Sequence, residues 1–268
     1  MKTLPALFAI LLLLGPPQVA KAIVGDNAVP VSDALHPEAC YIQIEHKDHP
    51  GNICTGTLVS PTEIYTAAHC FGRGYSPLVE RTTVWCGGYS LGRVVKIDLP
   101  NNDLNHWEIN PETLQERPIL SADFAVMHLP QSIGLRPMPV AAGPGKYFDD
   151  FGSLLKGVSC SFYGYGNTDA FSHNFQDQTL GHLISAKIDT NRILIFYSKT
   201  GEIITSAKNL GALPTSINTG DSGGSFICQA QGNSPELVGV IINYARMNSN
   251  DDTERSTNVM NPVWSIKP

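Results

Sequence analysis

Apolar segments of strand length, each cut short by Gly, Pro, Asn or Asp, run along this chain and leave little room for helix. Cys40–Glu45, Thr82–Trp85, Val94–Leu99, Ile193–Tyr197 and Leu237–Asn243 are rich in β-branched and aromatic residues and read as strands. The breakers are frequent, with 24 Gly and 19 Pro in 268 residues. Turns therefore come too often for long helices but at the spacing that an all-β barrel needs.

The first 22 residues have a different texture. Lys2 precedes an apolar core from Leu4 to Leu14, then Gly15-Pro16-Pro17 and the small-residue site Ala20-Lys21-Ala22. Residues 1–22 read as a secretory signal peptide, and the apolar run is too short to cross a bilayer. Without it 246 residues remain, long for one small domain, and the loss of Lys2 and Lys21 moves the formal charge from −6 to −8. Such a balance disfavours nucleic acid and suits a secreted protein, extracellular or periplasmic, with no membrane attachment. Six cysteines in an exported chain imply three disulfides, although spacing alone leaves their connectivity open. No two cysteines show the close spacing of a structural zinc site, so no metal is expected. Nothing in the chain calls for a cofactor.

Chemistry enters with Gly220-Asp221-Ser222-Gly223-Gly224. Serine needs no glycines to turn a corner, whereas a nucleophilic serine must bring its backbone within reach of the carbonyl it attacks. A serine nucleophile also needs a base, and the base needs an orienting carboxylate. His69 lies in Thr66-Ala67-Ala68-His69-Cys70, and Asp123 immediately precedes the alternating segment Phe124–Leu129. The other histidines (His36, His46, His49, His106, His128, His173 and His182) lack such neighbours and read as ordinary residues.

These three motifs, in the order His, Asp, Ser, resemble those of the chymotrypsin/trypsin-like serine endopeptidases across nearly the whole chain after residue 22. The resemblance implies two six-stranded antiparallel Greek-key barrels with the active site in the cleft between them. The first barrel would span residues 23–130 and the second 147–268, joined by a Pro/Gly-rich crossover at 131–146. The family's closing helix would be short or vestigial over Val263–Pro268.

The resemblance also implies roles. Ser222 is the expected nucleophile, His69 the general base and then acid, and Asp123 the group that orients the imidazole. The N–H groups of Gly220 and Ser222 would form the oxyanion hole. Ile23-Val24-Gly25-Asp26 resembles the family's mature start, in which the α-ammonium of the first residue pairs with the acid beside the nucleophile, here Asp221. Because Ala20-Lys21-Ala22 ends at Ile23, signal-peptide removal would itself create that amine; an earlier cut leaving a very short propeptide is the other reading. The family's bridges match Cys54–Cys70 and Cys160–Cys228, which leaves Cys40 and Cys86, a pair without a usual counterpart.

Specificity is where the pattern departs. Ser216 stands where Arg/Lys-cleaving members carry Asp, and Asn218 stands where a pocket-closing Cys is usual. Ile242-Asn243-Tyr244 aligns, give or take one residue, with the far pocket wall. Ser216, Ile217 and Tyr244 would shape a shallow pocket for small or medium apolar side chains, or one partly closed in the resting state. The implied partners are protein or peptide substrates and protein inhibitors, acting on a monomer. The alternative function is a catalytically silent homologue that uses the same fold for binding.

Overall fold

The computed structural model describes residues 27–45, 52–71, 81–99, 123–166, 182–199, 201–207, 220–247 and 255–265, with short pieces at Ile23, Val79, 107–109, 116–118 and Ile217. The expected leader 1–22, Asp26, Ser216 and Asn218 lie outside the described residues.

Strands dominate. In chain order they begin with β1 (Ala28–Pro30), β2 (Ala39–Ile44), β3 (Asn52–Ser60), β4 (Glu63–Thr66), β5 (Thr82–Cys86) and β6 (Tyr89–Arg93). There follow β7 (Lys96–Asp98), β8 (Trp107–Ile109), β9 (Glu116–Pro118), β10 (Ala125–His128), β11 (Ser159–Gly164) and β12 (Ile184–Lys187). The last are β13 (Ile193–Tyr197), β14 (Ile203–Ala207), β15 (Ser225–Gln229), β16 (Glu236–Met247) and β17 (Arg255–Pro262). Helical pieces among the described residues are short 3-10 turns such as Ala68–Cys70 and Val263–Ser265.

Seven strands form one curled antiparallel half-barrel in the order β6-β5-β2-β3-β4-β10-β7. Eight form the other, in the order β1-β12-β11-β15-β16-β17-β14-β13, and β8 pairs with β9 as a separate hairpin. The fold is thus all-β, as the sequence reading expects. One element crosses over: β1, which precedes every strand of the first sheet, pairs with β12 in the second, Ala28 opposite Ala186. Hydrogen bonds from residues 131–146 reach both sheets. Ile133 and Met138 donate their N–H groups to Pro61 and Leu58 of the first half, and Ala141 donates to Leu237 of the second.

Alternation explains why these segments become strands. In β5 the residues Thr82, Val84 and Cys86 are buried while Thr83 and Trp85 are half-buried, and in β11 Cys160, Phe162 and Gly164 are the buried set. Side chains two apart share a face, so each strand offers one apolar edge to a core. The first core gathers Ile42, Leu58, Ile64, Val84 and Met127; the second gathers Tyr147, Phe162, Phe226, Val240 and Met260. Each such side chain contributes about 1.5–3 kcal/mol relative to exposure.

The inward cysteines meet as cross-strand neighbours. Cys40 stands opposite Cys86 across β2 and β5, with Cα atoms 4.2 Å apart, and the two are disulfide-bonded. Cys160 and Cys228 do the same across β11 and β15 at 4.1 Å. Cys54 and Cys70 join β3 to the 3-10 turn that carries His69.

Candidate active site

The site is assembled where the two sheets meet. Thr66 ends β4, and the chain turns at once through Ala68–Cys70, presenting His69 at the seam. Cys70 ties that turn back to β3. Asp123 sits just before β10, and its neighbours face different cores: Phe124 enters the second and Ala125 the first. That split pins Asp123 at the boundary, 2% exposed.

His69 and Asp123 are joined twice. The ring Nδ1 lies 2.6 Å from Asp123 Oδ2, and the His69 main-chain N–H donates to Oδ1 at 2.9 Å. A carboxylate accepting at Nδ1 keeps the proton there and leaves Nε2 as the ring's lone-pair nitrogen. Asn261 of β17 donates from Nδ2 to the Asp123 carbonyl at 2.9 Å, so the second sheet also holds the acid.

Ser222 arrives from the second sheet, in the turn before β15, and is half-buried. Its carbonyl oxygen accepts from Thr55 N–H at 2.8 Å and lies 3.9 Å from Sγ of Cys70, the residue after His69. Gly224 N–H donates to Asp221 O at 2.8 Å, and Gly223 N–H to Ile241 O at 2.7 Å. The turn is therefore held from both sheets.

Asp221 is fully buried. Its Oδ1 accepts from Gly166 N–H at 2.9 Å, and a Cβ placed on Gly164 or Gly166 would stand 2.1 Å or 2.6 Å from that oxygen. Only glycine leaves room for the carboxylate there. Ile23 is also fully buried, within the second core. Tyr165, between those glycines, donates its hydroxyl to Asp33 Oδ1 at 3.0 Å. Burial, then the Asp33 charge, pushes that hydroxyl far above the usual tyrosine range, so it remains a neutral donor.

A family model described as Trypsin matches residues 26–268. The chain belongs to the trypsin family. Among curated members, glandular kallikrein-10 of Rattus norvegicus is 23% identical over 177 residues, 66% of each chain. Scolexin B of Heliothis virescens is 27% identical over 190 residues, 65% of this chain and 60% of its own. The alignments span 66% and 60% of these relatives' own length. Among solved structures, mouse-brain neuropsin, a serine protease, superposes with a TM-score of 0.55 at 17% identity, covering 88% of this chain and 94% of its own. The scabies mite inactivated protease paralogue S-I1 gives 0.54 at 17%, covering 89% and 94%. At such identity these two likenesses concern the fold.

Within this trypsin-family member, Ile217 and Tyr244 are the described residues among those expected to shape a pocket. Ile217 is buried in the second core, and its N–H donates to Asn258 Oδ1 at 3.2 Å. Tyr244 lies in β16 opposite Asn258. Thr55, Asn261 and the glycines around Asp221 are supports that sequence reasoning missed. The Gly164-Tyr165-Gly166 string near Cys160 was a signal for the glycines, whereas nothing local marks Thr55 or Asn261.

Proposed function

We propose that this trypsin-family protein is a secreted serine endopeptidase acting through Ser222, His69 and Asp123. The observation that carries the reading is the double hydrogen bond that His69 donates to Asp123, made beside the disulfide sulfur that touches the Ser222 carbonyl. In this reading His69 Nε2 takes the Ser222 Oγ proton as Oγ bonds to the scissile carbonyl carbon. The oxyanion is met by the N–H groups of Gly220 and Ser222. His69 then passes the proton to the leaving amine as the C–N bond breaks, and water hydrolyses the acyl-serine by the same route in reverse.

Two finer expectations belong to the same reading. The buried Ile23 and Asp221 are suited to pair once Ile23 carries a free α-amine, and signal-peptide removal would supply it. Sequencing active secreted protein checks this, and a start at Ala22 or earlier overturns it. With Ser216 at the pocket floor, cleavage is expected after small or medium apolar residues rather than Arg or Lys.

Fluorophosphonate labelling of secreted protein, wild type against Ser222→Ala, tests the assignment. Labelling that depends on Ser222 is the expected result. Its absence from correctly processed protein leaves the silent binding homologue as the reading that stands.

A further inference from the structure

We infer that the Thr55 hydroxyl is a positioning group that sets the orientation of the Ser222 turn, an inference that rests on the serine chemistry proposed above. Thr55 lies in β3 of the first sheet and is fully buried. From there it grips the turn at both ends. Its Oγ1 donates to Gly220 O at 2.9 Å, and its N–H donates to Ser222 O at 2.8 Å.

The direction of the first bond is fixed by a third partner. Tyr165 N–H donates to the same Thr55 Oγ1 at 2.9 Å. One oxygen lone pair is thereby occupied, and the hydroxyl proton is committed to Gly220 O. Thr66 Oγ1 in turn donates to the Thr55 carbonyl at 2.8 Å, so the residue that holds the turn is itself held. Burial keeps water from replacing any of these bonds.

The geometry matters because of which peptide planes are locked. Between Gly220 and Gly223 there are three. The carbonyl of the first is bound by the Thr55 hydroxyl, that of the second by Gly224 N–H, and that of the third by Thr55 N–H. The Ser222 N–H belongs to the middle plane and points opposite its carbonyl. Thr55 therefore fixes the planes on either side of a proposed oxyanion donor. Its main-chain bond does not depend on the side chain; the hydroxyl bond does. Gly220 has φ +92°, where glycine moves freely, so the first plane turns easily once its carbonyl is released. The nearby Thr57–Ser225 hydroxyl pair bridges the same sheets at 2.5 Å.

The test uses secreted full-length protein and p-nitrophenyl acetate, a small ester that needs no specificity pocket. Ser222 Oγ bonds to the acetyl carbon, p-nitrophenolate leaves, and the serine proton passes through His69 to solvent. Thr55→Val keeps the branched shape without the hydroxyl, and Thr55→Ser keeps the hydroxyl. In Thr55→Val the burst rate constant is expected to fall about tenfold, short of the loss from deleting an oxyanion donor outright. The burst amplitude and the pH midpoint of the rate are expected to stay unchanged. Thr55→Ser is expected to acylate within about twofold of wild type, since its hydroxyl still reaches Gly220 O. A merely structural role would lower the amplitude, not the rate constant of the sites that remain. A Thr55→Val burst at the wild-type rate, or a Thr55→Ser burst as slow as Thr55→Val, overturns the inference. If Thr55→Val does not fold, Thr55→Ala is read the same way, and failure of both assigns the hydroxyl to stability instead. Absence of any Ser222-dependent burst in wild type is a different result and removes the serine chemistry itself.

Discussion

Gly223 lies flush against Thr66 across the seam between the sheets: a Cβ added to Gly223 would stand 2.0 Å from Thr66 Oγ1 and 2.1 Å from the Thr55 carbonyl oxygen. The residue also has φ +83°. Gly223→Ala is therefore expected to lower the melting temperature and to cut Ser222 labelling by about a hundredfold or more, because backbone rather than a flexible tip must move. Gly232, with φ +78° and nothing within 4 Å of its added Cβ, isolates the conformational part. Gly232→Ala is expected to cost about 1–2 kcal/mol and leave labelling intact. Thermal melts and labelling rates of both variants decide it, and equal behaviour would contradict the steric argument.

Asp123 grips His69 at ring and main chain together, so loss of its charge should disturb proton transfer more than structure. Asp123→Asn is expected to slow acylation by about 10⁴-fold through the wrong imidazole tautomer, with a melting temperature near that of wild type. A loss below about tenfold would mean that the carboxylate does not orient the base.

The three disulfides should separate stability from activity. By the chain-entropy argument the bridges spanning 46 and 68 residues, Cys40–Cys86 and Cys160–Cys228, each contribute about 4 kcal/mol. Cys54–Cys70 closes only 16 residues and contributes about 3 kcal/mol. It carries the His69 turn, however, and its sulfur touches Ser222 O. Replacing each pair with alanines should thus cost least stability but most activity at Cys54–Cys70, as measured by urea unfolding and labelling.

Glu236 gives the fold an acid-sensitive point. Burial alone would raise its carboxyl, yet hydrogen bonds from Lys146 at 2.6 Å and from the Tyr147 hydroxyl outweigh this and hold it below its usual 4.5. A lowered folded value means that the stabilisation is complete above that usual value and fades as pH falls through the folded one. The stability difference between wild type and Glu236→Gln should accordingly be larger at about pH 6 than at about pH 3. A difference independent of pH would remove the linkage.

Periodicity made the strands legible. Ile193–Tyr197 matches β13 residue for residue, Cys40–Glu45 is displaced from β2 by one residue at each end, and Thr82–Trp85 stops one residue short of β5. Val94–Leu99 shortens to Lys96–Asp98, although Val94 N–H still bonds to Thr82. Leu237–Asn243 extends to Met247, because pairing with β17 carries it beyond its apolar run. The pairing of β1 with β12 was not legible, since three residues hold no record of which sheet will receive them. At the site, His69 and Asp123 were readable as motifs. Thr55 was hidden because its role comes from long-range contacts, with Gly220 and Tyr165 far along the chain.

The placement of β1 has a consequence for how the molecule comes into being. Ala28 finds its partner only when Ala186 has been made, so β1 cannot pair while only the first half-barrel has been synthesised. Long-range pairing of this kind slows folding and leaves an open strand edge in the meantime. The second half-barrel is then completed by a strand that precedes every strand of the first sheet. Ile23, just ahead of β1, is delivered to its core by that same late event. Docking of β1 is therefore a long-range event that draws on both halves of the chain, and Ile23 reaches the second core beside it.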